Sequence, residues 1–379
     1  METKTLDRRQ FLSTLAAASL LAPVSSLASV KAFGETKSSR YYSARASRDG
    51  RYFISAFDTN GNLKFDTQLP GRGHGLALNA QHNHLATAAR RPGTYLLIMD
   101  GESGEVLHQL EGKEERHFYG HSVYSHDGRW LYTTENDLEN DRGVICVRDI
   151  NKGYQQVAEL DAYGIGPHEL NLLSDGRTLV VANGGILTRP ETGRSKLNLD
   201  TMSPSLTYID AESGELLEQL TLPKALHKNS IRHFAVNQHD QLCFAMQYQG
   251  NANDLPQLIG LHQRGQKIQL LQAPEATLKQ MRNYCGSVCA DVSGDWFAVS
   301  SPKGNLITFW SARDGKYVGN VEVSDGCGIA CGQENGEFLL SSGIGGVYRY
   351  RVGDGKLSPL GELSELKGRW DNHMASTVL

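Results

Sequence analysis

The chain has 379 residues, 39% hydrophobic, 21% charged and 8% aromatic, with 40 Gly and 11 Pro. One hydrophobic centre rarely grows beyond roughly 250–300 residues, so two domains or a repeat array are expected, and the composition excludes a polytopic membrane protein and a disordered chain. With 38 Lys and Arg against 42 Asp and Glu the formal net charge is −4, which gives no electrostatic footprint for nucleic acid.

The N-terminus differs in composition from the rest of the chain. Asp7-Arg8-Arg9-Gln10-Phe11-Leu12 precedes an Ala-rich apolar run, Ser13 to Ala22, that Pro23 stops. That run is short for a membrane span. Paired arginines before Phe-Leu and a modestly apolar stretch resemble a twin-arginine export signal, so residues 1–35 are read as that signal, cleaved near Ala32, and the mature chain is expected in the periplasm without a transmembrane segment. An ordinary secretory signal or an uncleaved anchor would also carry the protein out of the bacterial cytoplasm.

From residue 40 onward no long helical period appears. Short apolar runs alternate with Asp-Gly, Asn-Gly and Ser-Gly turns, the pattern of antiparallel β-structure. One unit recurs: His121-Ser122-Val123-Tyr124-Ser125-His126-Asp127-Gly128-Arg129-Trp130 reappears as His168 to Leu179 and as Ser287 to Phe297. Outer hairpins recur as well, at Asp100 to Gly104, Asp210 to Gly214 and Ser311 to Gly315. Inner-strand starts fall at His74, His121, His168, His233, near Gly286, near Gly328 and at His373. Four strands per unit at this period predict an all-β, seven-bladed β-propeller over residues 36–379. Because the last start lies next to the C-terminus, that strand is expected to share a blade with the strands that begin near Tyr41, closing the ring. The long fourth interval is read as a loop inserted at about 184–203. Six blades with an irregular segment, or eight, are the competing counts.

Five of the seven predicted starts carry histidine: His74, His121, His168, His233 and His373. A propeller would gather them at one mouth of its central channel. Converging neutral imidazoles suit iron, copper, nickel or zinc, and protonated ones would bind an anion. The structural alternative makes each a turn residue bonded to the neighbouring blade's backbone. Arg72, Glu169, Arg232 and Asp371 flank these histidines and are the expected outer partners of a metal-bound imidazole. Glu135, Asn136 and Asp137 are weaker candidates of the same kind. Arg189, Glu191, Arg194 and Lys196, in the inserted loop, suggest a lid or an anion contact, against the simpler reading of a solvated loop.

The remaining two units carry cysteine instead, in Cys285-Gly286-Ser287-Val288-Cys289 and Cys327-Gly328-Ile329-Ala330-Cys331. Partners four apart on a strand lie roughly 13 Å from each other, too far for a disulfide within a pair. Three options stay open: buried free thiols, a cross-blade disulfide such as Cys285 to Cys327, or Cys285 and Cys327 as thiolate ligands, which would favour a softer ion such as copper. Cys146 and Cys243 lie in apolar strands and are read as packing residues. No phosphate loop, His-Glu-x-x-His helix or nucleophile elbow is present, so no reaction is named.

Several motifs together, Gly71-Arg72-Gly73-His74-Gly75, Tyr119-Gly120-His121, Thr133-Thr134-Glu135-Asn136-Asp137, Gly164-Ile165-Gly166-Pro167-His168-Glu169-Leu170, Val181-Ala182-Asn183-Gly184-Gly185-Ile186 and Lys196 to Leu206, resemble the bacterial family called domain of unknown function 1513. The resemblance spans essentially the whole mature chain. It implies a twin-arginine-exported propeller, often encoded beside imelysin-type periplasmic proteins and cytochrome-like di-haem proteins in iron-acquisition clusters, and it supplies no established activity. The cysteine before Gly328 fits the family pattern, whereas Cys285, Cys289 and Cys331 depart from it. The leading expectation is a periplasmic binding propeller for iron or copper, with imelysin-type or cytochrome-like partners. A metal-dependent redox enzyme using the same histidines and a non-catalytic interaction scaffold are the alternatives.

Overall fold

In the computed structural model, which describes residues 39–90, 94–113, 115–193, 195–364, 366 and 368–378, the strands form seven four-stranded antiparallel sheets. The segment read as an export signal lies outside the described residues. The ring closes as expected. β1 (Arg40–Ser47), β2 (Tyr52–Asp58) and β3 (Leu63–Leu69) share a sheet with the final strand, β28 (Gly368–Ser376), which pairs with β1 on its inner side. The other six innermost strands are β4 (Gly73–Asn79), β8 (Arg116–Tyr124), β12 (Pro167–Leu172), β16 (Asn229–Val236), β20 (Ser287–Ala290) and β24 (Gly326–Cys331). Each contacts the next around the axis, and β28 contacts both β24 and β4. The fold is a seven-bladed β-propeller.

The outer hairpins arise from local turn chemistry. Asp100 Oδ1 accepts from the Glu102 and Ser103 amides, and the Gly104 amide donates back to the Asp100 carbonyl at 2.9 Å. Asp210 and Gly214 repeat that arrangement, and Gly104 and Gly214 have φ of +75° and +70°, where a side chain would be strained.

Among the described residues the apolar core is divided into seven clusters, one at each interface between neighbouring blades. Tyr42, Ala44 and Ile54 of the closing blade pack on Leu85, Leu97 and Met99 of the next. Phe309, Phe338 and Leu340 serve the same purpose elsewhere. Sheet-on-sheet packing thus uses up the apolar faces between blades, and the axis is left to the polar ends of the inner strands. One element lies outside the repeat pattern: a short helix, α1 (Glu275–Met281), precedes β20 and seats Met281 in the cluster between its two neighbouring blades.

Candidate functional site

The inner strands do not all begin at their histidines. β8 opens at Arg116, β16 at Asn229 and β28 at Gly368, so His121, His233 and His373 lie inside their strands, whereas His74 and His168 are second residues. What the five share is a break in pairing. Register shifts fall between Gly73 and Leu76, Phe118 and Ser122, Pro167 and Leu170, and Ile231 and His233, and on β28 between Trp370 and Met374. A bulge inserts unpaired residues and re-aims a side chain; His74, His121, His168 and His373 fall within these breaks, and His233, paired with Ala245, directly follows one.

The backbone is tied down around these bulges. Thr134 Oγ1 donates to the carbonyls of both His121 and His168, at 3.3 and 3.0 Å, and Ser43 Oγ to that of His373 at 2.8 Å. Close approach of the first two strands needs glycine: a Cβ at Gly75 would sit 2.4 Å from the Gly120 carbonyl oxygen and 2.9 Å from His121 Nδ1, and one at Gly120 would sit 2.6 Å from His74 Cδ2.

All five histidines converge and are buried. His121 is central, its ring centroid 4.6 Å from His373, 4.7 Å from His168, 4.9 Å from His74 and 5.7 Å from His233. Their nitrogens form two groups, His74–His121–His373 and His121–His168–His233, each with donor atoms within 4.8 Å of one another. His74 Nδ1 lies 3.3 Å from Asp371 Oδ1, and His233 Nδ1 lies 3.2 Å from Glu169 Oε2. His121 Nε2, His168 Nδ1 and His373 Nε2 are buried without a protein hydrogen-bond partner. Those atoms make no bond to a neighbouring blade's backbone.

Burial holds the imidazoles of His121, His168, His233 and His373 well below their ordinary range; the neighbouring histidines add to this for His121 and His233, and Arg232 for His168. His74 is also lowered by burial, with Asp371 opposing. The cluster is therefore neutral near pH 7, with lone pairs available for a metal. Glu169 is pushed up to about 8 by burial, against the hydrogen bond it accepts from the Phe234 amide. For Asp371 burial acts upward too, but His74, Arg72 and Arg90 together hold it well below the usual carboxylate range.

Of the expected outer partners, Asp371 and Glu169 reach the imidazoles directly, and Arg72 Nε donates to Asp371 Oδ2 at 2.5 Å. Arg232 lines the cavity above the cluster. Glu135 and Asp137 are engaged elsewhere: Glu135 pairs with buried Arg148 at 2.8 Å, and Asp137 with Arg116 and Arg142. Cys285 and Cys327 join neither imidazole group. Burial raises both thiols to about 12; Cys285 packs in an interblade cluster, and Cys327 donates to the Trp370 carbonyl at 3.4 Å. All six cysteines are free, so the Cys285–Cys327 bond is not formed; the thiols that neighbour one another across blades are Cys289 and Cys331, with Cys289 donating to the Ala290 carbonyl and Cys331 beside Ser376 Oγ.

Above the imidazoles lies a cavity of about 500 Å3, walled in part by Ile186, Thr188 and Lys196 of the 184–204 loop between β13 (Thr178–Asn183) and β14 (Ser205–Asp210). Arg189 of that loop turns away to pair with Asp141 at 2.7 Å, and Arg194 lies outside the described residues. Arg90 and Lys303 also line the cavity and were not singled out from sequence. Each comes just after the second strand of its blade, β5 (His84–Ala89) or β21 (Trp296–Ser301), whose end is antiparallel to the start of the inner strand. Position after the second strand is the signal that would have found them.

The family model described as "Protein of unknown function (DUF1513)" matches residues 67–377. The chain belongs to the DUF1513 family. All five histidines fall within the match. Comparison with curated proteins returns no match. Among solved structures the chain is similar to one titled Kuenenia stuttgartiensis hydrazine synthase, with a TM-score of 0.60 at 14% identity over 86% of this chain and 99% of the other. At that identity the likeness is one of fold, so for this DUF1513 chain the site itself has to carry the functional argument.

Proposed function

We propose that the protein is a periplasmic metal-binding propeller that handles iron, held by His74, His121, His168, His233 and His373. The observation that carries this reading is the pair of buried imidazole groups sharing His121, with three ring nitrogens that no protein group satisfies. Buried polar atoms in folded proteins are almost always hydrogen-bonded, and an unmet one costs about 1–3 kcal/mol. Three such atoms spread over the two groups that share His121 support a bound ligand there. Asp371 would fix the tautomer of His74 and raise its basicity, as a carboxylate behind a metal-bound histidine does, and Glu169 would orient His233 through its contact with Nδ1. With Cys285 and Cys327 outside the groups, the case for a soft ion weakens, and nitrogen-only donors fit iron or zinc as readily as copper. Export by the twin-arginine route and exchange with imelysin-type or cytochrome-like partners belong to the same proposal and rest on the sequence.

The test is elemental analysis of the protein isolated from its own periplasm, beside a His121→Ala/His168→Ala double variant. Iron near one equivalent in the native protein and its loss in the variant are expected. Metal-free native protein that also fails to take up iron(II) in calorimetry would overturn the reading.

A further inference from the structure

The cavity above the imidazoles is cationic. Arg72, Arg90, Lys196, Arg232 and Lys303 line it, against a single carboxylate, Asp325. The basic groups come from three different blades and the inserted loop of a fourth, so they encircle the space rather than form one stripe. Two are held in place by side-chain contacts. Arg72 is anchored on Asp371 with 42% of its side chain exposed, and Lys303 Nζ sits 4.5 Å over the Tyr284 ring. The Lys196 ammonium is disfavoured by burial and then by the charges of Arg232 and Lys303.

The charge balance becomes more unequal once a cation is placed below. Five neutral imidazoles add no negative charge to a bound iron ion, and Asp371 is already shared between His74, Arg72 and Arg90. Glu169, engaged by His233 and the Phe234 amide, offers at most one negative charge. A multiply charged ion beneath a basic wall, away from water, requires more anionic charge than that. Among the described residues Asp325 is the one carboxylate in the cavity lining, so the remaining anionic charge is assigned to a ligand from solution.

We infer that the cavity binds a small polycarboxylate that caps the metal, its carboxylates divided between the iron below and the basic residues around the wall. This deepens the metal-binding proposal and, for its inner contact, rests on it. Carboxylate oxygens complement hard ions, and guanidinium groups grip carboxylates through paired hydrogen bonds. Separated cations around about 500 Å3 suit several separated carboxylates better than one compact tetrahedral anion, and the volume lies in the range of small-molecule sites.

The probe is tricarballylate, a tricarboxylate that lacks a chelating hydroxyl and so does not strip iron. It is titrated by calorimetry into iron(II)-loaded and metal-stripped full-length mature protein, with inorganic phosphate as a parallel titrant. Binding to the iron-loaded protein is expected, weakened by salt and reduced at least about tenfold in both Arg90→Gln and Lys196→Gln, which remove charges from two separate segments. Equal or tighter binding of phosphate, or no tricarballylate binding to iron-loaded protein, overturns the inference while leaving the metal site standing. If the protein takes up no iron yet tricarballylate binds with the same dependence on Arg90 and Lys196, the cavity assignment holds and the metal reading falls.

Discussion

His74 and Asp371 are 297 residues apart in sequence, and their side chains meet at 3.3 Å across the junction where the C-terminal strand closes the ring. The contact joins propeller closure to the imidazole cluster. Asp371 also receives Arg72 and lies 3.7 Å from Arg90, so it is the carboxylate on which the cationic wall and the buried histidines both rest.

Replacing Asp371 with Asn keeps the shape and removes the charge that orients His74. Metal affinity is expected to fall roughly 10–100-fold, the usual effect of deleting an outer-shell partner. The signature that separates this from simple destabilisation is a preserved far-ultraviolet spectrum together with a weaker iron isotherm. Unchanged affinity in a folded Asp371→Asn protein would show that the carboxylate serves only Arg72 and Arg90.

Gly75 and Gly120 set the spacing of the first two inner strands. A Cβ at Gly75 meets backbone at 2.4 Å, so the strands must move apart, and overpacking of this kind costs about 1–3 kcal/mol. Gly353 has φ +97° with nothing within 4 Å, so Gly353→Ala reports backbone strain alone. Chemical denaturation should place Gly75→Ala well below wild type with reduced iron uptake, whereas Gly353→Ala should lose stability and keep uptake. Equal uptake by wild type and both variants would detach the close approach from the site.

The blade count, ring closure and shared blade are legible in the sequence because they rest on local signals repeated around the chain: Asp100–Gly104 and Asp210–Gly214 are complete turn instructions in five residues each. The convergence of five histidines is legible for the same reason. Where each lies in its strand is not, because a bulge is settled by two strands together; nothing in Arg116 to His121 alone shows that Phe118 pairs with Glu135 and Ser122 with Thr133. Arg90 and Lys303 escape a sequence reading because they sit outside the recurring histidine position and reach the cavity through their strands' ends. A bond between Cys285 and Cys327, allowed by the repeat, fails because burial directs the two thiols into separate interblade clusters.

The metal-free protein should lose stability as the pH drops through about 6. The five imidazoles have folded pKa values held below the ordinary 6.5 by burial, so under acid the unfolded chain binds protons that the folded one refuses. Stability is then fully present above the unfolded value and is lost below it, at up to about 1.4 kcal/mol per pH unit for each histidine kept neutral. Thermal melts from about pH 8 to about pH 5 should fall steeply below the ordinary histidine value, and less steeply in His121→Gln/His233→Gln. A flat Tm over that range would mean the imidazoles take up protons in the fold as readily as in the unfolded chain.

Cys289 and Cys331 sit in neighbouring inner strands, and the nearby Cys289 thiol is the main cause that brings Cys331 down to about 7 while Cys289 is raised. A thiol near 7 is partly thiolate at neutral pH and attacks disulfides readily. With oxidised glutathione, the Cys331 thiolate takes one sulfur and releases one glutathione thiol; Cys289 then displaces the second, leaving a Cys289–Cys331 disulfide and two reduced glutathiones. Intact-mass analysis after alkylation should show loss of two reactive thiols on these positions, with Cys146, Cys243, Cys285 and Cys327 protected by burial until the chain unfolds. A Cys289→Ser variant has no resolving thiol and should halt at the mixed disulfide, heavier by one glutathionyl group. Labelling of Cys285 or Cys327 in the folded protein before Cys331 would contradict the assignment.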